Sequence, residues 1–166
     1  RKKIYELSDP QLPQGAEEIN SSIEEFTDRF IKEFESDMET GGEGHEGLDI
    51  SYETVTDSDR LYTVKVWAVQ TQASGAETVR YYTLDKATGQ QLALADLFAE
   101  GSDYVTVLSE EIKLQMRRQM QEDPGKQYFL DDEEFPEWNF ERIKEDQNFY
   151  ITDGQKLTIV FDEYEV

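Results

Sequence analysis

The sequence contains no cysteine, which removes disulfides, thiolate-bound zinc and cysteine nucleophiles and leaves the compartment open. Histidine is nearly absent as well. His45 stands alone in residues 39–47, a stretch with four glycines and three glutamates that reads as an acidic loop. A Ser-His-Asp triad or a zinc site would have to rest on that one unsupported imidazole. Positive charge is scarce: 16 Lys and Arg stand against 38 Asp and Glu, for a net charge of −22. Such a surface repels phosphate backbones and anionic membranes, so neither nucleic acid nor a bilayer is an expected partner. No apolar run reaches the length of a signal-peptide core or a membrane span. Oxygen-only calcium loops of the EF-hand pattern are missing too. Gly41-Gly42-Glu43-Gly44 has neither the preceding strand nor the lysine of a phosphate-binding loop. No cofactor or metal site is expected.

What remains is a chain of 166 residues with nine Tyr, nine Phe and two Trp, too aromatic for a disordered acidic tail. It has the length of one domain, and residues 1–166 read as one, without a Pro/Gly/Ser linker or a repeat. A short strand is expected at 4–8, stopped by Pro10 and Pro13. Ile19, Ile23, Phe26, Phe30 and Phe34 then fall on one face of a helix over 16–38. Segments 48–56 and 61–72 are β-rich and flank Asp57-Ser58-Asp59-Arg60, the pattern of a hairpin. Ser74-Gly75 turns the chain into a strand at 77–84. Asp85-Lys86-Ala87-Thr88-Gly89 makes another turn, with Gly89 at the position needing positive φ. Segment 90–98 begins extended and ends in a helical turn. Ser102 or Asp103 caps a second helix, striped by Val105, Leu108, Ile112, Met116 and Met120 and stopped at Asp123-Pro124-Gly125. A closing hairpin follows at 148–161 around Asp153-Gly154-Gln155. These elements predict an α+β fold, an antiparallel sheet with both amphipathic helices packed on its apolar face.

Residues 126–147 are both acidic and aromatic. One account is a long loop whose rings pack over a sheet edge while its acids stay wet. The other is a recognition surface, with aromatic anchors for buried contact and carboxylates for the lysines and arginines of a basic partner. On the second account Tyr128, Phe129, Trp138 and, near the end of the chain, Tyr164 are the apolar contacts. Asp131, Asp132, Glu133 and Glu134 then steer the encounter.

The run Tyr82-Thr83-Leu84-Asp85-Lys86-Ala87-Thr88-Gly89-Gln90-Gln91-Leu92-Ala93-Leu94-Ala95-Asp96-Leu97-Phe98, followed by Gly101-Ser102-Asp103-Tyr104, resembles a signature of certain bacterial ectodomains. In those a strand, a D-x-x-T-G turn and an L-x-D-L-F turn lead into a helix. Asp146-Gln147-Asn148-Phe149-Tyr150-Ile151-Thr152-Asp153-Gly154 and Phe161-Asp162-Glu163-Tyr164-Glu165-Val166 resemble the closing hairpin of the same family, and Ile19-Asn20 fits its first helix. The family comprises extracytoplasmic domains of lysozyme-responsive sigma-V anti-sigma factors and domains beside some polysaccharide deacetylases. The resemblance implies a non-enzymatic extracytoplasmic sensing or binding domain, anchored to the membrane by a segment outside this chain. Its implied partner is a basic protein such as lysozyme. The alternative it implies is a cell-wall glycan-binding accessory module, with sugar stacked on Trp67 or Trp138. Two departures stand out. Thr71-Gln72-Ala73-Ser74-Gly75-Ala76 occupies the place of a T-G-G-A-H-G hairpin, and the sequence stops at Val166, where family members continue with an Ala-Pro segment.

Overall fold

The computed structural model describes residues 13–39, 47–71, 76–163 and 165–166. The strand expected at 4–8, His45 with most of its loop, the Ser74-Gly75 turn and Tyr164 lie outside them. The chain divides into two units, one of residues up to Leu92 together with Asn148–Glu163, the other of Ala93–Gln147 with the last residues.

The first unit holds the sheet. Helix α1 (Pro13–Glu39) begins at a proline, whose missing N–H costs nothing in a first turn. Strands β1 (Gly47–Asp57), β2 (Leu61–Thr71), β3 (Ala76–Asp85) and β4 (Gln90–Leu92) form an antiparallel sheet in the order β1-β2-β3-β4. The helical stripe and the period of two in β2 meet as their spacing requires. Ile19, Ile23, Phe26 and Phe30 bury against Tyr62, Val64, Val66, Ala68 and Leu84, with Leu48, Ile50 and Tyr82 at the margin. Phe26 and Phe30 lie 4.8 Å apart, and the Arg29 guanidinium covers the Phe30 ring at 4.9 Å. This is the α+β class that the pattern predicts.

Gly15 and Gly89 fix where helix meets hairpin. Gly89 sits at φ 69°, and its carbonyl accepts the Gly15 N–H at 2.9 Å. A side chain at Gly15 would run into that carbonyl and come within 2.6 Å of Leu84 Cδ1.

The closing hairpin pairs β5 (Phe149–Ile151) with β6 (Leu157–Ile159). Its positive φ falls on Gln155 (59°), directly after a turn closed by the Gln155 N–H to the Thr152 carbonyl at 2.8 Å. The left-handed residue thus follows the turn, as in longer hairpin loops, and Gly154 does not supply it. Several contacts fasten this hairpin to the sheet. Thr56 Oγ1 donates to the Ile151 carbonyl at 2.7 Å, Tyr81 stacks on Tyr150 at 4.7 Å, and Arg80 reaches both Asp162 oxygens at 2.9 and 3.0 Å. The side chain of Asn148 does something more specific. Its amide nitrogen donates to the Val79 carbonyl at 2.9 Å, and its oxygen accepts the Tyr81 N–H at 3.0 Å, as a neighbouring strand would. One side chain thereby pairs a carbonyl and an N–H in the part of β3 that lies beyond short β4.

Candidate functional site

The second unit carries the acidic aromatic segment. A 3-10 turn (Leu94–Leu97) is closed by Asp96, whose Oδ2 accepts the Ala93 N–H at 2.8 Å. Helix α2 (Tyr104–Glu122) is capped by Asp103, whose carboxylate accepts the Thr106 N–H at 3.2 Å. Hydrogen bonds from Thr106 hold the Asp103 carboxyl below the usual carboxylate range.

Along α2 the buried positions are Ser109 and Met116. Ser109 Oγ donates to the Val105 carbonyl at 2.6 Å and accepts the Ile143 N–H at 3.0 Å. Tyr128 OH donates to Gln119 Oε1 at 2.7 Å, and the Phe140 N–H donates to the Phe129 carbonyl at 2.8 Å. Phe140 and Ile143 are buried. The segment is therefore tied down at several points within its own unit and holds a definite shape.

Its tip is a 3-10 turn, Pro136–Trp138, which Phe135 enters. In a 3-10 turn side chains three apart eclipse, and a proline after Phe135 presets the backbone for it. Phe135 accordingly stacks on Trp138 at 4.6 Å and 12°, while Phe129 meets Trp138 edge-on at 5.3 Å. These packed rings remain open to solvent: Trp138 is 54% exposed, Phe129 39% and Phe135 37%. Ordinary surfaces scatter exposed rings singly, so a contiguous trio is the kind of patch that marks an interaction site.

The carboxylates of the segment divide into two groups. Asp132 Oδ1 accepts the N–H groups of Glu134 and Phe135, both at 2.8 Å. The Asp132 backbone is clasped by the Asn139 amide at 2.8 and 3.0 Å. Asp131, at φ 62°, receives the Arg117 guanidinium at 2.8 Å. Both build the turn. Glu133, Glu134 and Glu137, in contrast, are exposed and have no partner among the described residues. Of the residues singled out from the sequence, the structure thus brings Phe129 and Trp138 together in one ring cluster, beside the stretch carrying Glu133 and Glu134. Tyr128 is half-buried against α2, Asp131 and Asp132 are engaged in the turn, and Tyr164 falls outside the described residues. Phe135 is the member of the cluster that sequence reasoning passed over. The Phe-Pro-Glu-Trp order was the signal for it.

A cleft of about 450 Å³ opens at the start of α2, between residues 102–105 and 142–145. Asp103 there is already spent on its cap. Among the described residues no group of three or more His, Cys, Asp or Glu converges to hold a metal ion, and no helix is long and apolar enough to cross a membrane. Tyr81 and Tyr82, in the first unit, are both pushed above the ordinary tyrosine value by burial.

The chain is thus an α+β protein that displays a shaped acidic-aromatic surface. Residues 95–166 match the family model described as "Protein of unknown function (DUF3298)". Over 160 residues the chain is 41% identical to the anti-sigma-V factor RsiV of Bacillus subtilis (strain 168), covering 96% of this chain and 54% of that protein. Over nearly its whole length the chain matches an RsiV-like domain, and it spans about half the length of the curated relative it matches.

Proposed function

We propose that the chain is a non-enzymatic sensing domain of an anti-sigma-factor-like protein, and that it captures a basic protein of the lysozyme type outside the cytoplasm. The observation that carries this reading is the exposed ring trio Phe129, Phe135 and Trp138 beside the unpaired carboxylates of Glu133, Glu134 and Glu137. Rings supply desolvated contact area at low entropic cost, and the free carboxylates supply long-range attraction. The net charge of −22 extends that attraction to any cationic partner.

Calorimetric titration with hen-type lysozyme at about 50 mM and about 500 mM salt tests the reading, because screening separates steering from stacking. Saturable binding that weakens at least about tenfold at the higher salt is the expected outcome. Absence of heat at the lower salt would remove lysozyme. Retention on peptidoglycan that salt leaves unchanged would favour a cell-wall glycan stacked on Trp138, since stacking is not screened.

A further inference from the structure

The two edges of the sheet are treated differently, and the difference points to a second binding surface. In β3, Asn148 takes the Val79 carbonyl and the Tyr81 N–H, so the backbone of residues 79 and 81 faces away from β2. Val79 and Tyr81 lie opposite Trp67 and Lys65, whose backbone groups must then face β1. Trp67 and Lys65 in turn lie opposite Ser51 and Glu53. Ladder alternation therefore leaves Leu48, Ile50 and Tyr52 with their N–H and C=O groups directed at the outer edge of β1. Among the described residues β1 pairs with β2 alone, and its register runs unbroken from Gly47 to Thr54 before it shifts. One edge carries a dedicated side chain; among the described residues the other runs straight for a strand's length.

We propose that this outer edge of β1 accepts an extended segment of a partner as an added strand, with side chains alternating apolar and basic. The alternation follows from the two faces of β1. Leu48 and Ile50 lie against the hydrophobic core and Tyr52 is exposed on the same face, so the incoming strand meets apolar surface there. Asp49, Ser51 and Glu53 occupy the other face; Lys65 of β2 already stands 3.8 Å from Glu53, so Asp49 is the carboxylate that an adjoining lysine or arginine would lie opposite. Backbone pairing supplies affinity in such strand addition, and alternate side chains supply selection. This surface lies in the sheet unit and does not depend on the ring trio.

The test is amide hydrogen exchange on the whole chain, alone and with a peptide of about eight alternating lysines and valines. In the free chain the amides of Leu48, Ile50 and Tyr52 exchange fast while those of Asp49, Ser51 and Glu53 are slow. The peptide slows the first set about tenfold or more. The same peptide N-methylated on the amides that would face β1 does not, and Tyr52→Pro, which removes an outward N–H without touching the β1–β2 ladder, weakens the effect. Slow exchange of the first set in the free chain overturns the proposal, because the edge would already be covered. Equal binding of the N-methylated peptide also overturns it, since attraction would then be electrostatic only. Should Tyr52→Pro fail to fold, the N-methylated peptide decides alone.

Discussion

Replacing Gly15 by alanine sets two general effects against each other, and the structure says which prevails. Alanine is the better helix former by roughly 1 kcal/mol in a helix interior, less in a first turn, so propensity alone favours the change. The added Cβ, however, would meet the Gly89 carbonyl and stand 2.6 Å from Leu84 Cδ1 and 2.8 Å from the Gln91 N–H nitrogen. Two of these three neighbours are backbone, anchored by the Gly89 N–H to the Asp85 carbonyl at 2.8 Å and by the β3–β4 ladder. Ordinary contact requires the helix start and the hairpin to part by several tenths of an ångström or more. That strains or breaks the Gly15–Gly89 hydrogen bond, a loss of about 1 kcal/mol, and adds overpacking of about 1–3 kcal/mol. The net expectation is destabilisation by about 2 kcal/mol. In urea this is a fall in midpoint of about 1 M at unchanged slope. Gly101→Ala is the matching control: its φ of 77° strains an alanine, but nothing lies within 4 Å of the new Cβ. It should cost only about 1 kcal/mol. A Gly15→Ala protein as stable as the parent would refute the close approach between α1 and the Gly89 turn.

Trp138→Ala is expected to weaken lysozyme binding about tenfold or more, while Glu133→Lys with Glu134→Lys slows association and flattens its salt dependence; surface plasmon resonance separates the two effects. Gln155→Gly should raise stability by about 1 kcal/mol, because Gln155 now holds φ 59° with a side chain, and thermal unfolding will read it. Asn148→Asp keeps an acceptor for the Tyr81 N–H but sets a carboxylate against the Val79 carbonyl, with an expected loss of about 1–3 kcal/mol in urea unfolding. Asp103 has its folded-state pKa lowered by Thr106, so its stabilising contribution is present above the unfolded-state pKa and is lost as pH falls through the folded one. Acid titration of Asp103→Asn, which keeps the acceptor, should therefore lose that part of the pH dependence.

Much of the fold was readable because it rests on periodicity. The spacing of Ile19, Ile23, Phe26 and Phe30 identifies a helix that needs an apolar partner, and Tyr62, Val64, Val66 and Ala68 provide one. Gly89 at positive φ and a cap of α2 at Ser102 or Asp103, which the structure gives to Asp103, were legible for a similar reason, since each answers a local backbone requirement. The contacts that fasten distant segments were not. Nothing near Asn148 announces that its amide will complete the edge of β3 some seventy residues earlier, and Ser109 carries no mark of its bond to Ile143. Such bonds depend on where the chain brings two segments together, and composition is silent on that.

The same distinction governs the acidic segment. From the sequence, residues 131–134 are four equivalent charges. In the structure the Asp132 side chain closes a local turn, Asp131 is an ion-pair partner, and Glu133 and Glu134 have no carboxylate partner among the described residues. A carboxylate that already accepts two N–H groups has no lone pair to spare at that oxygen, and one facing a guanidinium projects less field outward. The overall charge therefore overstates what a partner meets at this turn. Long-range attraction sums over the whole chain and is indifferent to such assignments, whereas short-range recognition draws on the few groups left unpaired. Neutralising Asp132 should consequently act on the shape of the ring trio before it acts on charge. Neutralising Glu134 should do the reverse, so the two aspects of one acidic run come apart under mutation.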